Sequence, residues 1–203
     1  MLYLVEKIAK GGEEVGIIKS IRSPGGSAAN TIVGLARLGA EVGFIGIVGN
    51  DIEGRMILNE FSSERVDTKG IVVSEGRTGI AIGFIDSKSG ERALYIDPGV
   101  NDRFDMKNVD VDYINAAKFL HTSSFVDMKQ LEMQKELVKQ VKARISFNPG
   151  MLCFKYGFRD IKGIIERSEV VFLSEKELFA LTRAGPERGA EILLETGAEI
   201  VAI

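Results

Sequence analysis

The residues best placed to do chemistry stand in Pro24-Gly25-Gly26-Ser27-Ala28-Ala29-Asn30, which opens a helical pattern. Paired glycines let backbone amides approach a ligand closely, Ser27 is placed to cap the helix, and the amides of the helix start offer donors to a polar group. Asn30, one turn in, carries both a donor and an acceptor for hydroxyl groups. An ordinary glycine-rich turn with a capped helix and a surface Asn satisfies the same spacing equally well. The segment is not a phosphate loop of the Gly-Lys-Ser/Thr type, because no such triplet follows. Nor is it a dinucleotide fingerprint: GxGxxG is absent there, and Gly43, Gly46 and Gly49 have the wrong spacing and lie largely within a strand pattern. His121, the chain's one histidine, ends a strand-like run and reads as a structural residue rather than a base. Cys153, the one cysteine, has no nucleophile motif around it and reads as inert packing.

These residues need elements to hold them. Leu2 to Val5 and Val15 to Ile18 read as extended runs, and the turn cluster from Ser23 to Ser27 stops them. Ala28 to Leu38 has apolar residues at helical spacing and Gly39 as its stop. Val42 to Val48 is an unbroken apolar run of strand length, as expected of a parallel strand covered on both faces. Asp51 is placed to cap a further amphipathic segment through Met56, Ile57 and Phe61. Three short β-rich runs follow, Ile71 to Val73, Ile80 to Ile85 and Ala93 to Ile96, with Asp86 to Gly90 as a hairpin loop. They predict a small meander standing off the main sheet. Strands at Phe119 to His121, Ile145 to Phe147, Val170 to Leu173 and Glu199 to Ile203 then alternate with helices at Met128 to Val141, Ile161 to Ile165, Glu175 to Leu181 and Glu187 to Leu194. The strand-like start and end of the sequence lead us to expect a piece of something longer, incomplete at both termini.

Composition bounds the class. The chain has 203 residues, 45% hydrophobic and 27% charged, which is enough apolar surface to offset the entropy of ordering it as a globular chain. The net charge of -3 gives no electrostatic reason to expect nucleic acid or an anionic membrane as partner. One cysteine and one histidine argue against a zinc site and suit a reducing compartment, so a cytoplasmic location is expected. No run approaches the roughly 18 apolar residues of a spanning helix.

The stretch GGSAANTIVGLARLGAEVGFIGIVGNDIEG resembles the first signature of the ribokinase family, the PfkB carbohydrate kinases: a glycine pair, a helix-borne Asn and a following V-G-x-D-x-x-G block. The similarity continues in order through Arg77-Thr78-Gly79, Gly90-Glu91-Arg92, Gly99-Val100-Asn101 and His121-Thr122-Ser123-Ser124. Asn148-Pro149-Gly150 is similar to a loop near the family's active site, and Leu173-Ser174-Glu175-Lys176-Glu177 to its N-x-x-E element, with Ser174 in place of Asn. The resemblance implies a three-layer ribokinase-like (Rossmann-like) α/β domain over 1–203, with a β-sheet lid formed by about 2–20 and 71–100. It implies phosphorylation of a hydroxyl of a sugar or related carbohydrate, with ATP (or ADP) and Mg2+.

Carried over residue by residue, the resemblance puts Gly25, Gly26, Ser27 and Asn30 on the acceptor's hydroxyls. Thr78, Gly79 and Asn101 become lid residues on the substrate side, and Ser174 and Glu177 stand on the phosphate and magnesium side with no direct metal ligand. Ser27 replaces the Lys of ribokinase itself, so ribose is not specifically indicated. The family's Gly-Ala-Gly-Asp type element, with its anion hole and Asp base, does not occur in the sequence, so no catalytic residue is expected within the chain and the base is expected beyond Ile203. The 203 residues alone are accordingly expected to be inactive. Alternatives are a nucleoside kinase of the same family and a non-catalytic acceptor-binding or assembly module; a homodimer through the lid is an open expectation.

Overall fold

The computed structural model describes residues 1–124, 127–150 and 152–203, together with the backbone but not the side chain of Cys153. The expectation for the Cys153 side chain therefore lies outside the described residues. The chain forms two compact units, residues 1–104 and 105–203.

The first unit holds two sheets. β1 (Leu2–Val5), β2 (Ile17–Ile21), β5 (Ile80–Asp86) and β6 (Arg92–Asp97) make a four-stranded sheet in the order β2-β1-β5-β6. β1 runs parallel to β5, with Leu2 opposite Gly83, and antiparallel to β2; β5 and β6 are an antiparallel hairpin. Asp86 closes its loop by accepting the amides of Lys88 and Ser89, each at 2.8 Å. β3 (Gly43–Gly49) and β4 (Asp67–Ser74) form a separate parallel pair, linked by α2 (Ile52–Ser63). This corrects the expected meander. Ile71 to Val73 belong to β4, which pairs with β3, because the helix before them makes a β-α-β crossover and fixes β4 beside β3. The second extended run is likewise 17–21 rather than 15–18. The Phe44 and Phe61 rings lie 4.9 Å apart between centroids, tilted by 45°, and Phe61, Val48 and Val66 are buried.

The second unit is a parallel sheet in the order β10-β9-β8-β7, made of β7 (Phe119–Ser123), β8 (Arg144–Asn148), β9 (Ser168–Phe172) and β10 (Ile200–Ala202). Its crossovers are α4 (Met128–Gln140), α5 (Leu152–Lys155) with α6 (Phe158–Ile165), and α7 (Glu175–Thr182) with α8 (Pro186–Thr196). Ile161, Ile164 and Ile165 lie on one face of α6 and are fully buried, as helical spacing requires of a helix packed on a sheet. Ile145, Phe147 and Val171 fill the strand side of that core. Deleting the Phe147 ring would cost about 3–5 kcal/mol in lost burial and cavity formation. A short helix at Val111–Asn115, α3, capped by Asp110, has too few periodic residues to stand out in the sequence.

Candidate functional site

The candidate residues fall into two sets, one in each unit. In the first unit, α1 (Ser27–Arg37) begins where expected, but its cap is Gly26 at φ 114°, and no side chain caps it. Ser27, expected to cap, is instead the first helical residue, and its carbonyl accepts the Thr31 hydroxyl at 3.0 Å. The physical reason is Gly26: a residue at positive φ turns the chain sharply into the helix, so Ser27 is already inside the first turn. The helix start keeps donors that no side chain satisfies, beside the exposed Gly25 and Asn30. Gly25, Asn30, Arg37, Glu60 and Phe61 help line a shallow cleft of about 290 Å³, at the low end for small-molecule sites.

Thr78, Gly79 and Asn101 come together in one tight junction. A Cβ on Gly79 would overlap the Asn101 amide and stand 2.7 Å from the Pro98 carbonyl, so only glycine fits. Thr78 is 3% exposed, and its hydroxyl is committed in both directions: it donates to Asp51 Oδ1 at 2.6 Å and accepts the Gly49 amide at 2.9 Å. Asp51 is the N-cap of α2, as its position before an amphipathic run predicts. Burial pushes its carboxyl up, but hydrogen bonds from the Thr78 hydroxyl and from the Gly54 and Thr78 amides outweigh that and hold it below the usual carboxylate range. Arg22, at the approach to the glycine pair, forms an ion pair with Glu53. The glycine segment and the Thr78 junction are therefore both anchored on the first turn of α2. The link from Asp51 to Thr78 was not visible in the sequence, where only the capping role of Asp51 can be read; 27 positions separate the two.

In the second unit, Ser174 and Glu177 form a capping box on α7. Glu177 Oε2 accepts both the Ser174 amide at 2.8 Å and the Ser174 hydroxyl at 2.9 Å. Ser174 is exposed and Glu177 half-buried. An open groove of about 500 Å³ nearby is lined by Phe154, Phe179 and Arg183 but not by Ser174 or Glu177. His121 Nδ1 lies 3.0 Å from the Ser146 hydroxyl, and Nε2 is buried without a partner among the described residues. Burial lowers its pKa, which suits a neutral structural imidazole. Asn148 ends β8, and Gly150 takes φ 49°, so this loop is the sharp turn its sequence suggests. Among the described residues no three acidic, His or Cys side chains gather as a metal site, and no helix is long and apolar enough to cross a membrane.

The profile of the family described as pfkB family carbohydrate kinase matches residues 6–203. A protein of Archaeoglobus fulgidus described as an uncharacterized sugar kinase is 37% identical over 174 residues, covering 84% of this chain and 69% of its own length. An ATP-dependent ribose-1-phosphate kinase of Halopiger xanaduensis is 29% identical over 178 residues, covering 87% of this chain and 58% of its own length. Ribokinase of Thermotoga maritima superposes with a TM-score of 0.85 at 23% identity, over 98% of this chain and 66% of that chain. The chain thus spans roughly 58–69% of the proteins it matches. The fold is the ribokinase-like α/β fold.

Proposed function

The chain belongs to the pfkB family of carbohydrate kinases, and on that premise we propose that the protein to which it belongs transfers a phosphoryl group from ATP to a hydroxyl of a sugar. One observation carries the reading to these residues: α1 starts at a positive-φ glycine with its first amides uncapped by any side chain, and Asn30 stands exposed one turn along. Backbone donors and a side-chain amide held on a rigid helix suit a polyhydroxylated, uncharged acceptor. In the reaction, the acceptor oxygen forms a bond to the γ-phosphorus, the bond to the bridging oxygen of the leaving ADP breaks, and the acceptor's proton passes to a base. No described residue is assigned as that base. Gly25, Gly26, Ser27 and Asn30 orient the hydroxyls, and orientation is a large share of what this chemistry requires.

Mg2+ would neutralise charge on the phosphates. The residues present fit it only through water, since Glu177 is a single carboxylate already serving the capping box and among the described residues no acidic cluster surrounds it. Glu177 and Ser174 would hold that water shell at the start of α7.

The four-stranded sheet is proposed as the lid, over about 2–21 and 80–97. Tyr95 at 63% exposed, Ile96 at 59% and Ile17 at 56% give it apolar surface that supports pairing with a second copy. A cytoplasmic location goes with ATP as donor, and small molecules rather than nucleic acid or membrane with the net charge. The test is acceptor-dependent ADP release by the full-length protein across a panel of sugars and nucleosides. Turnover with sugars supports the reading, turnover with nucleosides alone shifts it to a nucleoside kinase, and none at all overturns it.

A further inference from the structure

Thr78 is the point at which the lid strand β5 is tied to the rest of its unit, and Asp51 makes the tie. The Asp51 carboxylate takes the Thr78 amide on Oδ2 at 2.8 Å and the Thr78 hydroxyl on Oδ1 at 2.6 Å, while Oδ1 also accepts the Gly54 amide at 2.8 Å. The same hydroxyl accepts the Gly49 amide from the end of β3. One side chain pair thus joins the end of β3, the first turn of α2 and the segment that enters β5. Three glycines close the packing around it. A Cβ on Gly49 would lie 2.6 Å from the Thr78 amide nitrogen, one on Gly99 would lie 2.8 Å from the Thr78 carbonyl carbon, and one on Gly54 would stand 3.0 Å from the Thr78 hydroxyl after overlapping the Gly49 carbonyl. Backbone cannot yield at such distances as a side-chain tip can.

We propose that Asp51 is a positioning residue for the acceptor: through Thr78 it fixes Gly79 and the adjoining Asn101, and with them the direction in which β5 and β6 leave the junction. The inference rests on the kinase reading above. Thr78 itself, buried and with its hydroxyl committed to two partners, does not act on the acceptor; its effect passes through Gly79, whose missing Cβ leaves room for Asn101. Since β5 carries β1 on one edge and β6 on the other, a shift at residue 78 moves the whole lid sheet.

The experiment compares wild type, Thr78→Val and Thr78→Ser in the full-length protein by amide hydrogen exchange and by separate KM values for acceptor and ATP. Val keeps the shape and loses the hydroxyl; Ser keeps the hydroxyl. The expected result is faster exchange over residues 80–97 in Thr78→Val with β7 to β10 unchanged, about a tenfold rise in acceptor KM with ATP KM unmoved, and return of both toward wild type in Thr78→Ser. Should Val at 78 not fold, Asp51→Asn carries the same measurements, because it replaces an acceptor facing the Thr78 amide by a donor or leaves the hydroxyl without its partner. Unchanged exchange overturns the anchor, and faster exchange with unchanged acceptor KM overturns the positioning role. A wild-type protein with no acceptor-dependent turnover sinks the kinase reading and the acceptor role with it, while exchange still decides the anchor.

Discussion

The hydroxyl and the amide of Ser174 both donate to one oxygen of Glu177, at 2.9 and 2.8 Å. The pair caps α7 and is also the pair proposed for the phosphate side, so a capping role and a proposed binding role fall on the same two residues. They separate by substitution. Ser174→Ala removes the cap and should lower stability by about 1 kcal/mol, seen as a lower thermal midpoint. Glu177→Gln keeps an acceptor oxygen and removes the charge; it should raise the Mg2+ concentration needed for half-maximal turnover. An Mg2+ dependence identical to wild type would confine Glu177 to capping.

Asn30 is exposed on α1, so truncating it should leave the thermal midpoint within about 0.5 kcal/mol equivalent of wild type. On the proposed role of Asn30 in binding acceptor hydroxyls, the truncation should raise acceptor KM by about tenfold. Steady-state kinetics of Asn30→Ala against wild type decides this, and an unchanged KM removes Asn30 from the acceptor site.

Gly99 and Gly90 both have positive φ, at 54° and 73°, but only Gly99 is crowded. Gly90→Ala should cost about 1 kcal/mol, the backbone strain alone. Gly99→Ala adds overlap with the Arg77 carbonyl and should exceed 3 kcal/mol, on the order of a severe core defect. Urea unfolding of the two variants tests the ranking; equal losses would show that the junction around Thr78 can relax.

His121 is the sole histidine, and burial lowers its pKa. The unfolded chain therefore binds the proton more readily than the folded one, and stability is present above the unfolded value of about 6.5 and declines as pH falls below it. Thermal midpoints at pH 7.5 and 5.5 should differ more in wild type than in His121→Gln, which cannot titrate. An equal drop in both proteins would assign it to carboxylates alone.

If the lid sheet is a contact between copies, Tyr95→Asp should shift the full-length protein from dimer to monomer in sedimentation velocity, because it buries a charge in an apolar interface. A wild-type protein that is already monomeric would dismiss the contact.

Legibility from sequence followed the range of the forces involved. The β7 to β10 unit could be read because each strand is a short apolar run and each crossover helix has its own periodicity, as Ile161, Ile164 and Ile165 illustrate. The cap at Asp51 was legible for the same reason: it is decided within three residues. The partner of β4 was not, since the apolar Ile71 to Val73 suit a meander or a crossover equally and only packing against β3 chooses. Ser27 misled because a good capping residue yields when a glycine before it takes a positive φ. The Asp51 to Thr78 bond was invisible because no local pattern reports a hydrogen bond spanning 27 positions.

The pairing of Leu2 with Gly83 has a temporal side. β1 leaves the ribosome about eighty residues before its partner β5, a wait of about 4–16 s at about 5–20 residues per second. Through that interval its central edge has no strand to pair with, and only β2 can shield the other. Each strand of the second unit, by contrast, meets its neighbour after one helix or two. Over that interval the nascent chain carries an unpaired strand edge, the kind of segment whose exposure during synthesis invites mispairing.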